Sequence, residues 1–176
     1  MQLPQNIFIA TLQHVEALNI LVNSAYRGET SKQGWTTEAD LLDGIRIDAE
    51  RLQETIQQEN SWILIYTNAE NKVVACVHLE KHEHKLYLGM LTVAPQLQGK
   101  GTGKLLLDVS EKFAVGKNCN TIYMTVITHR TKLIAWYEKH GYVNTHIKKP
   151  FPENDLRFGL PKKKLEFTVL EKPLTL

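Results

Sequence analysis

Cysteines, charge of one sign and long apolar runs are all scarce in this chain, and each shortage excludes a class of protein. Only Cys76 and Cys119 occur among 176 residues, without a C-x-x-C pair, so we expect two small core residues, no disulfide framework and no metal site. Lys plus Arg total 21 against 19 for Asp plus Glu, which predicts neither a nucleic-acid nor a membrane partner. No apolar stretch approaches the roughly 20 residues that span a bilayer. The N-terminus also lacks the pattern of a secretory signal, so we expect a reduced, soluble, cytoplasmic protein.

Hydrophobic residues make up 43% of the chain and charged residues 23%, as in ordinary globular proteins. At roughly 150 residues per domain, the length predicts one domain over residues 1–176. Hydrophobic periodicity predicts seven strands and about four helices. One helix start is expected at Thr36 with a hydroxyl cap, and a second helical stretch through Leu52 and Ile56 is expected after a break at Gly44. This order indicates an α/β (α+β) fold with a mixed central sheet, and the proline-containing segment 148–164 is interpreted as a surface excursion. The strands are expected near 7–10, 62–67, 73–79, 86–93, 121–127, 142–147 and 165–170.

A glycine-rich segment between a predicted strand and a predicted helix is the most informative part of the sequence. Glycines lack Cβ, so their backbone N–H groups can approach an anion, and the N-terminus of the following helix adds a partial positive charge. A phosphate is therefore the expected ligand, although a glycine-rich turn that binds nothing is the alternative. The segment consists of Gln98, Gly99, Lys100, Gly101, Thr102, Gly103 and Lys104.

The spacing of these glycines excludes two nucleotide motifs. A Walker loop needs Ser or Thr after its Gly-Lys pair, and here Leu105 stands there. A dinucleotide fingerprint needs a third glycine where Lys104 or Leu106 lies. The pattern that fits is Q-x-x-G-x-G, read from Gln98 or, in a second register, from Gln96. In this the chain resembles the GNAT superfamily of N-acetyltransferases, whose Q/R-x-x-G-x-G/A loop holds the pyrophosphate of acetyl-CoA.

A second motif strengthens the resemblance. Residues 132–142 read K-L-I-A-W-Y-E-K-H-G-Y and are similar to the GNAT segment A-x-x-[FW]-Y-E-K-x-G-[FY]. Segments 26–29, 34–38, 130–134 and 150–152 are similar to an uncharacterised GNAT subgroup with no settled acceptor. The resemblance implies a GNAT-like fold and an acetyl-CoA-dependent N-acetyltransferase that acts on a primary amine of a small molecule or a protein, as a monomer or a homodimer.

The resemblance also implies which residues hold the acyl donor. In GNATs the strand before the loop splays from its neighbour, and its backbone pairs with the pantetheine arm and the thioester oxygen. The matching positions are Leu91, Thr92 and Val93, and Gly89 marks either a bulge or tight packing. Arg130 stands where many GNATs carry an Asn that contacts pantetheine. It is expected to hold a phosphate or an acidic acceptor, with an ordinary surface arginine as the alternative.

Tyr137 is the candidate general acid, because the resemblance implies that its hydroxyl lies near the sulfur of the donor. A phenol with a pKa near ~10 stays protonated at neutral pH and can donate to a thiolate. The alternative is a core aromatic residue beside Leu133 and Trp136. The general base is open among His78 and Glu80 on a strand, His82 and His84 at a turn, and a water chain.

Acceptor contacts are expected from the loop after the first helix, where GNATs usually place them. A loop anchored by one buried tryptophan is the alternative. Two rival functions stay open: a silent CoA-binding regulator and an interaction module on a GNAT scaffold. The acceptor-site candidates are Tyr26, Glu29, Trp35, Thr36 and His78.

Overall fold

The computed structural model describes residues 2–153 and 155–175, and its helices and strands follow the predicted order closely. Within these residues there are five α-helices, one of which is a single turn, and nine strands. The helices are α1 (Val15–Tyr26), α2 (Gly28–Ser31), α3 (Ala49–Gln57), α4 (Thr102–Gly116) and α5 (Thr131–Lys139). The strands are β1 (Ile7–Ile9), β2 (Leu42–Asp43), β3 (Ser61–Thr67), β4 (Val73–His82), β5 (Lys85–Val93), β6 (Thr121–Ile127), β7 (Val143–Pro150), β8 (Leu160–Pro161) and β9 (Glu166–Pro173).

Seven strands form one mixed sheet in the order β1-β3-β4-β5-β6-β9-β7. Strands β3, β4 and β5 form the predicted antiparallel meander, because their links are short enough for hairpins. Strands β5 and β6 are parallel, and α4 makes the crossover that such a pair requires. The fold is thus the predicted α/β (α+β) fold with a mixed central sheet. Strands β2 and β8 pair separately.

Helices cover both faces of the sheet, and the strand sequences reflect this. Leu64 packs in a core with residues of α4 and α5, whereas its neighbours Ile63 and Ile65 pack in a second core with α1 and α3. Because alternate residues are buried on opposite faces, the middle of β3 is apolar without interruption. Both cysteines are buried, free thiols, in agreement with their predicted role as core residues.

The helix predicted to begin at Thr36 is absent, and this prediction was wrong. Thr37 hydrogen-bonds the hydroxyl of Ser31 and accepts from the amide of Ala39, and the Glu38 amide donates to the Tyr26 carbonyl. Polar groups that would cap a helix thus hold a turn. The second helical stretch, predicted through Leu52 and Ile56, is observed as α3, which begins at Ala49.

Segment 148–164 was predicted to be a surface excursion, but part of it is buried. Phe151 is buried with Leu41, Leu42 and Leu165 in a third apolar cluster. The segment therefore packs against the turn that replaces the predicted helix.

Strands β5 and β6 part after their first three residues. Their pairing ends at Tyr87 and Tyr123, although both strands continue for several residues. Beyond this point Met90 has a φ of +50°, and the register between β4 and β5 shifts at a bulge. Gly89 is needed here, because a Cβ on it would lie 2.7 Å from the Tyr87 ring. The parted strands leave an opening in the middle of the sheet.

Candidate active site

A groove of about 460 Å³ runs from the opening between β5 and β6 to the start of α4. Backbone of β5 forms one side, and α5 with the segment around Trp35 forms the others. Most residues predicted to hold the acyl donor, together with Tyr137 and three predicted acceptor residues, meet in it. The lining residues are Tyr26, Trp35, Thr36, Leu91, Val93, Gln98, Gly99, Gly101, Gly103, Lys104, Arg130, Leu133, Trp136, Tyr137 and His140.

The glycine-rich loop at one end of the groove fits an anion. Gly99 and Gly101 have φ values of +76° and +88°, which favour glycine, and a Cβ on either would meet no atom within 4 Å. Gly101 is also the N-cap of α4, so no side chain caps that helix, and its first turn holds no acidic residue. By contrast, Asp48 caps α3 through the Arg51 amide. The first amides of α4 therefore remain available to a phosphate.

Gln98 joins the two sides of the groove. Its side-chain oxygen accepts from the Trp35 amide at 3.0 Å, and its side-chain nitrogen donates to the Val93 carbonyl at 3.1 Å. A Cβ at Gly34 would overlap the Gln98 side chain, which explains the glycine there. Gln98 thus fixes the segment around Trp35 to the end of β5, a role beyond contact with a phosphate.

Five predicted site residues have side chains that line no part of the groove. Thr92 is buried, and its hydroxyl donates to the Met90 carbonyl. The side chains of Lys100 and Thr102 lie outside the lining. Glu29 is 88% exposed and pairs with Lys32 in the single turn α2.

His78 is the fifth of these residues. Its ring hydrogen-bonds the Ser61 hydroxyl at 2.9 Å, and it packs edge-on against Tyr87. Burial lowers the pKa of His78 to about 4, so the ring is neutral at physiological pH. The His78 side chain therefore lies outside the groove.

Tyr137 lies where the groove meets a second cavity of about 140 Å³. Its side chain is 5% exposed, and burial raises its pKa well above the usual value of a phenol. The hydroxyl therefore stays protonated throughout the neutral range. Tyr26, beside it, donates its own hydroxyl to the Leu91 carbonyl at 3.0 Å, and this bond holds α1 against the open part of β5.

Three arginines surround the second cavity, and sequence reasoning missed two of them. Arg27, Arg46 and Arg130 line it together with the single carboxylate of Glu38. Glu38 accepts from Arg27 at 2.8 Å and from Arg130 at 2.9 Å, so one buried carboxylate bridges two guanidinium groups. No local pattern could have revealed this cluster, because Glu38 and Arg130 are 92 residues apart along the chain.

Arg130 is therefore not an ordinary surface arginine. A second nitrogen of its guanidinium group donates to the Thr36 hydroxyl at 2.8 Å, and its Nε is buried with no partner among the residues that the structure describes. Thr36 and Trp35, predicted to contact the acceptor, line the groove and not the second cavity.

Comparison with known proteins identifies the family. The sequence profile of the acetyltransferase (GNAT) family matches residues 33–142, a stretch that includes β5, the glycine-rich loop and α5. The chain belongs to this family, whose members generally use acetyl-CoA as the acyl donor.

Solved structures share the fold over nearly their whole length. The ribosomal-protein-S18-alanine N-acetyltransferase from Escherichia coli is 14% identical, with a TM-score of 0.71 over 97% of this chain and 94% of that chain. An N-acetyltransferase from Staphylococcus aureus Mu50 is 15% identical, with a TM-score of 0.69 over 96% and 98%. The spermidine/spermine N-acetyltransferase from Vibrio cholerae is 15% identical, with a TM-score of 0.67 over 95% and 91%. At such identities the likeness concerns the fold alone.

No helix within residues 2–153 and 155–175 has the length and apolar character needed to cross a membrane.

Proposed function

We propose that the chain, as one domain over residues 1–176, is an acetyl-CoA-dependent N-acetyltransferase that acetylates a primary amine of a small molecule or a protein. One observation carries the proposal: β5 parts from β6 directly beside an uncapped glycine-rich helix start, and Tyr137 lies at the inner end of the resulting groove. Family membership supports the same chemistry.

The residues divide the work among binding, orientation and proton transfer. Amides of Gly99, Gly101 and the first turn of α4 would hold the pyrophosphate, and backbone groups of Leu91 and Val93 would align the pantetheine arm. The bound donor supplies a thioester whose C–S bond breaks as the acceptor nitrogen bonds to its carbonyl carbon. The amine nitrogen gives up a proton to a chain of water molecules, and the Tyr137 hydroxyl supplies one to the departing sulfur and regains it from the same water, so that one proton passes overall from nitrogen to sulfur.

The second cavity receives the acceptor in this proposal. It shares Tyr26, Leu91, Arg130, Leu133 and Tyr137 with the groove, so the two substrates would meet at these residues. A ternary arrangement of this kind suits direct attack, because it places both reactants side by side without a covalent enzyme intermediate.

Calorimetric titration of the protein with acetyl-CoA, and with CoA as a reference, tests the donor site. We expect stoichiometric binding by the parent protein and at least about 100-fold weaker binding by Gly101→Glu, because a carboxylate would lie where the phosphates must come. The backbone strain of a side chain at this φ costs about 1–2 kcal/mol of folding free energy, so the variant should still fold.

Gly28→Glu is the matched control for that experiment. Gly28 also has a positive φ, +69°, with open space around it, but it lies outside the groove. The Gly28→Glu protein should lose a similar free energy of unfolding and keep the parent protein's affinity for acetyl-CoA. Normal binding by Gly101→Glu would place the donor elsewhere, and binding without any thiol release across an amine panel would favour the silent regulator.

A further inference from the structure

The cavity beside Tyr137 carries more positive charge than its own acidic residues balance. Three guanidinium groups, those of Arg27, Arg46 and Arg130, face the single carboxylate of Glu38. Because arginine stays protonated in proteins, the described lining holds an excess of two positive charges. Glu38 is already engaged by two of these groups, so it is not free to receive a cationic amine.

Several donors of this cluster have no partner within the described residues. The Nε atoms of Arg27 and Arg130 are both buried and unpaired. No hydrogen bond or ion pair is found among these residues for the Arg46 guanidinium, which instead stacks 5.5 Å from the centre of the Tyr26 ring. Arg130 stacks on the same ring at 5.6 Å. Unpaired donors on partly buried cations are unfavourable, and an anion bound in the cavity that these arginines line would satisfy them.

The position of the charge separates it from the acyl donor. Arg27 and Arg46 line only the second cavity, whereas the glycine-rich loop lines only the groove. In the proposed function the glycine-rich loop binds the donor's phosphates in the groove. Those phosphates therefore do not neutralise the arginine cluster, which lies in the cavity. The volume of the second cavity, about 140 Å³, is close to that of a cavity that holds one benzene molecule. A cavity of this size can hold a small molecule.

We propose that the acceptor is a small primary amine that also carries an oxyanion, such as the carboxylate of an amino acid, and that the arginine cluster binds this oxyanion. The inference rests on the proposed function and specifies its substrate class. The amine would lie toward Tyr137 and the anion toward Arg46 and Arg27, with Phe151 and Phe158 providing the apolar wall. Polycationic amines such as polyamines would be repelled by the same charges.

Matched pairs of acceptors test the proposal. Thiol release is measured with the common amino acids other than proline, which has no primary amine, and cysteine, whose own thiol would be detected. The same assay is run with their carboxamides and with spermidine, at a fixed saturating concentration of acetyl-CoA. We expect at least one free amino acid to exceed its carboxamide by about 10- to 100-fold in kcat/KM, the range of one or two charged hydrogen bonds, and spermidine to be a poor substrate. If no free acid exceeds its carboxamide, or if spermidine is the better substrate, the proposal is overturned.

Arg46 offers the cleanest variant, because it makes no ion pair within the described residues. Arg46→Gln should raise KM for the anionic acceptor about 10-fold, reduce its advantage over the carboxamide and leave the Kd of acetyl-CoA unchanged. Arg46→Lys should restore part of the preference. Arg51→Gln is the matched control, since Arg51 stacks on Phe158 at 4.8 Å without lining the cavity. An Arg46→Gln enzyme with an unaltered preference would contradict the assignment.

The two proposals fail in different ways. Loss of the donor site would appear as absent acetyl-CoA binding in calorimetry, whatever the acceptor. An incorrect substrate class would appear as normal acetyl-CoA binding together with turnover of uncharged or cationic amines. The calorimetric and acceptor experiments together therefore distinguish the two failures.

Discussion

Replacing Tyr137 with Phe should lower kcat by about 100-fold while the Kd of acetyl-CoA changes by less than about twofold. The substitution removes one hydroxyl and keeps the ring, which packs edge-on against Trp136 and Tyr142. The hydroxyl is needed only when negative charge develops on sulfur, so its loss affects the transition state more than donor binding. Stopped-flow or steady-state thiol release gives kcat, and calorimetry gives the Kd.

The pH dependence of the same reaction follows from the burial of Tyr137. Burial raises its pKa above the ordinary value of about 10, so the group is protonated at every lower pH and loses its proton only in strong alkali. We expect kcat/KM to rise with pH as the acceptor amine loses its proton, with no falling limb below about pH 10. A falling limb near neutrality that disappears in Tyr137→Phe would show that the phenol titrates earlier.

Tyr142→Phe is the matched control for Tyr137→Phe. Tyr142 is equally buried and touches the Tyr137 ring, with centroids 5.8 Å apart, but it lines neither cavity. Its replacement should leave kcat within about twofold. Equal loss of kcat and of donor affinity in Tyr137→Phe would instead make Tyr137 a packing residue, the alternative that its apolar neighbours suggest.

Much of the fold could be predicted from the sequence, because the elements that form it are specified by patterns among neighbouring residues. The alternation in β3 to β5 and the glycines before α4 each depend on neighbouring residues, and the predicted strands and helix lie within a few residues of the observed ones. The parting of β5 from β6 was expected only through the family resemblance. Gly89 is the one residue in the sequence that hints at it, and the structure shows both a nearby bulge and close packing of Tyr87 there.

The segment around Glu38 shows where local reasoning fails. Thr36 and Glu38 have the spacing of a capped helix start, yet the chain turns there, with Leu41 and Leu42 packed against Phe151. This contact links segments more than a hundred residues apart, and its burial outweighs a helix preference of a few tenths of a kcal/mol per residue. Glu38 is then directed inward, so a residue expected in the first turn of a helix instead bridges two arginines of the site.

Replacing Glu38 with Gln should lower the free energy of unfolding by about 3–5 kcal/mol, the usual effect of removing one partner from a buried ion pair. Arg27 and Glu38 are 7% and 5% exposed, and the carboxylate serves two arginines, so a neutral amide leaves both charges without compensation. For a chain of this size the loss corresponds to a fall in Tm of about 10 °C. Thermal and denaturant unfolding measure both quantities.

Two further variants separate charge compensation from simple packing. Glu29→Gln removes an equally negative side chain whose partner Lys32 is exposed, and it should change stability by less than about 0.5 kcal/mol. Arg27→Met added to Glu38→Gln removes one of the uncompensated cations and should recover part of the loss. No recovery in the double variant would contradict the electrostatic account, because packing losses at the two positions would add instead. Recovery would mean that Glu38 balances the arginine cluster in the folded chain and leaves its remaining positive charge for the acceptor.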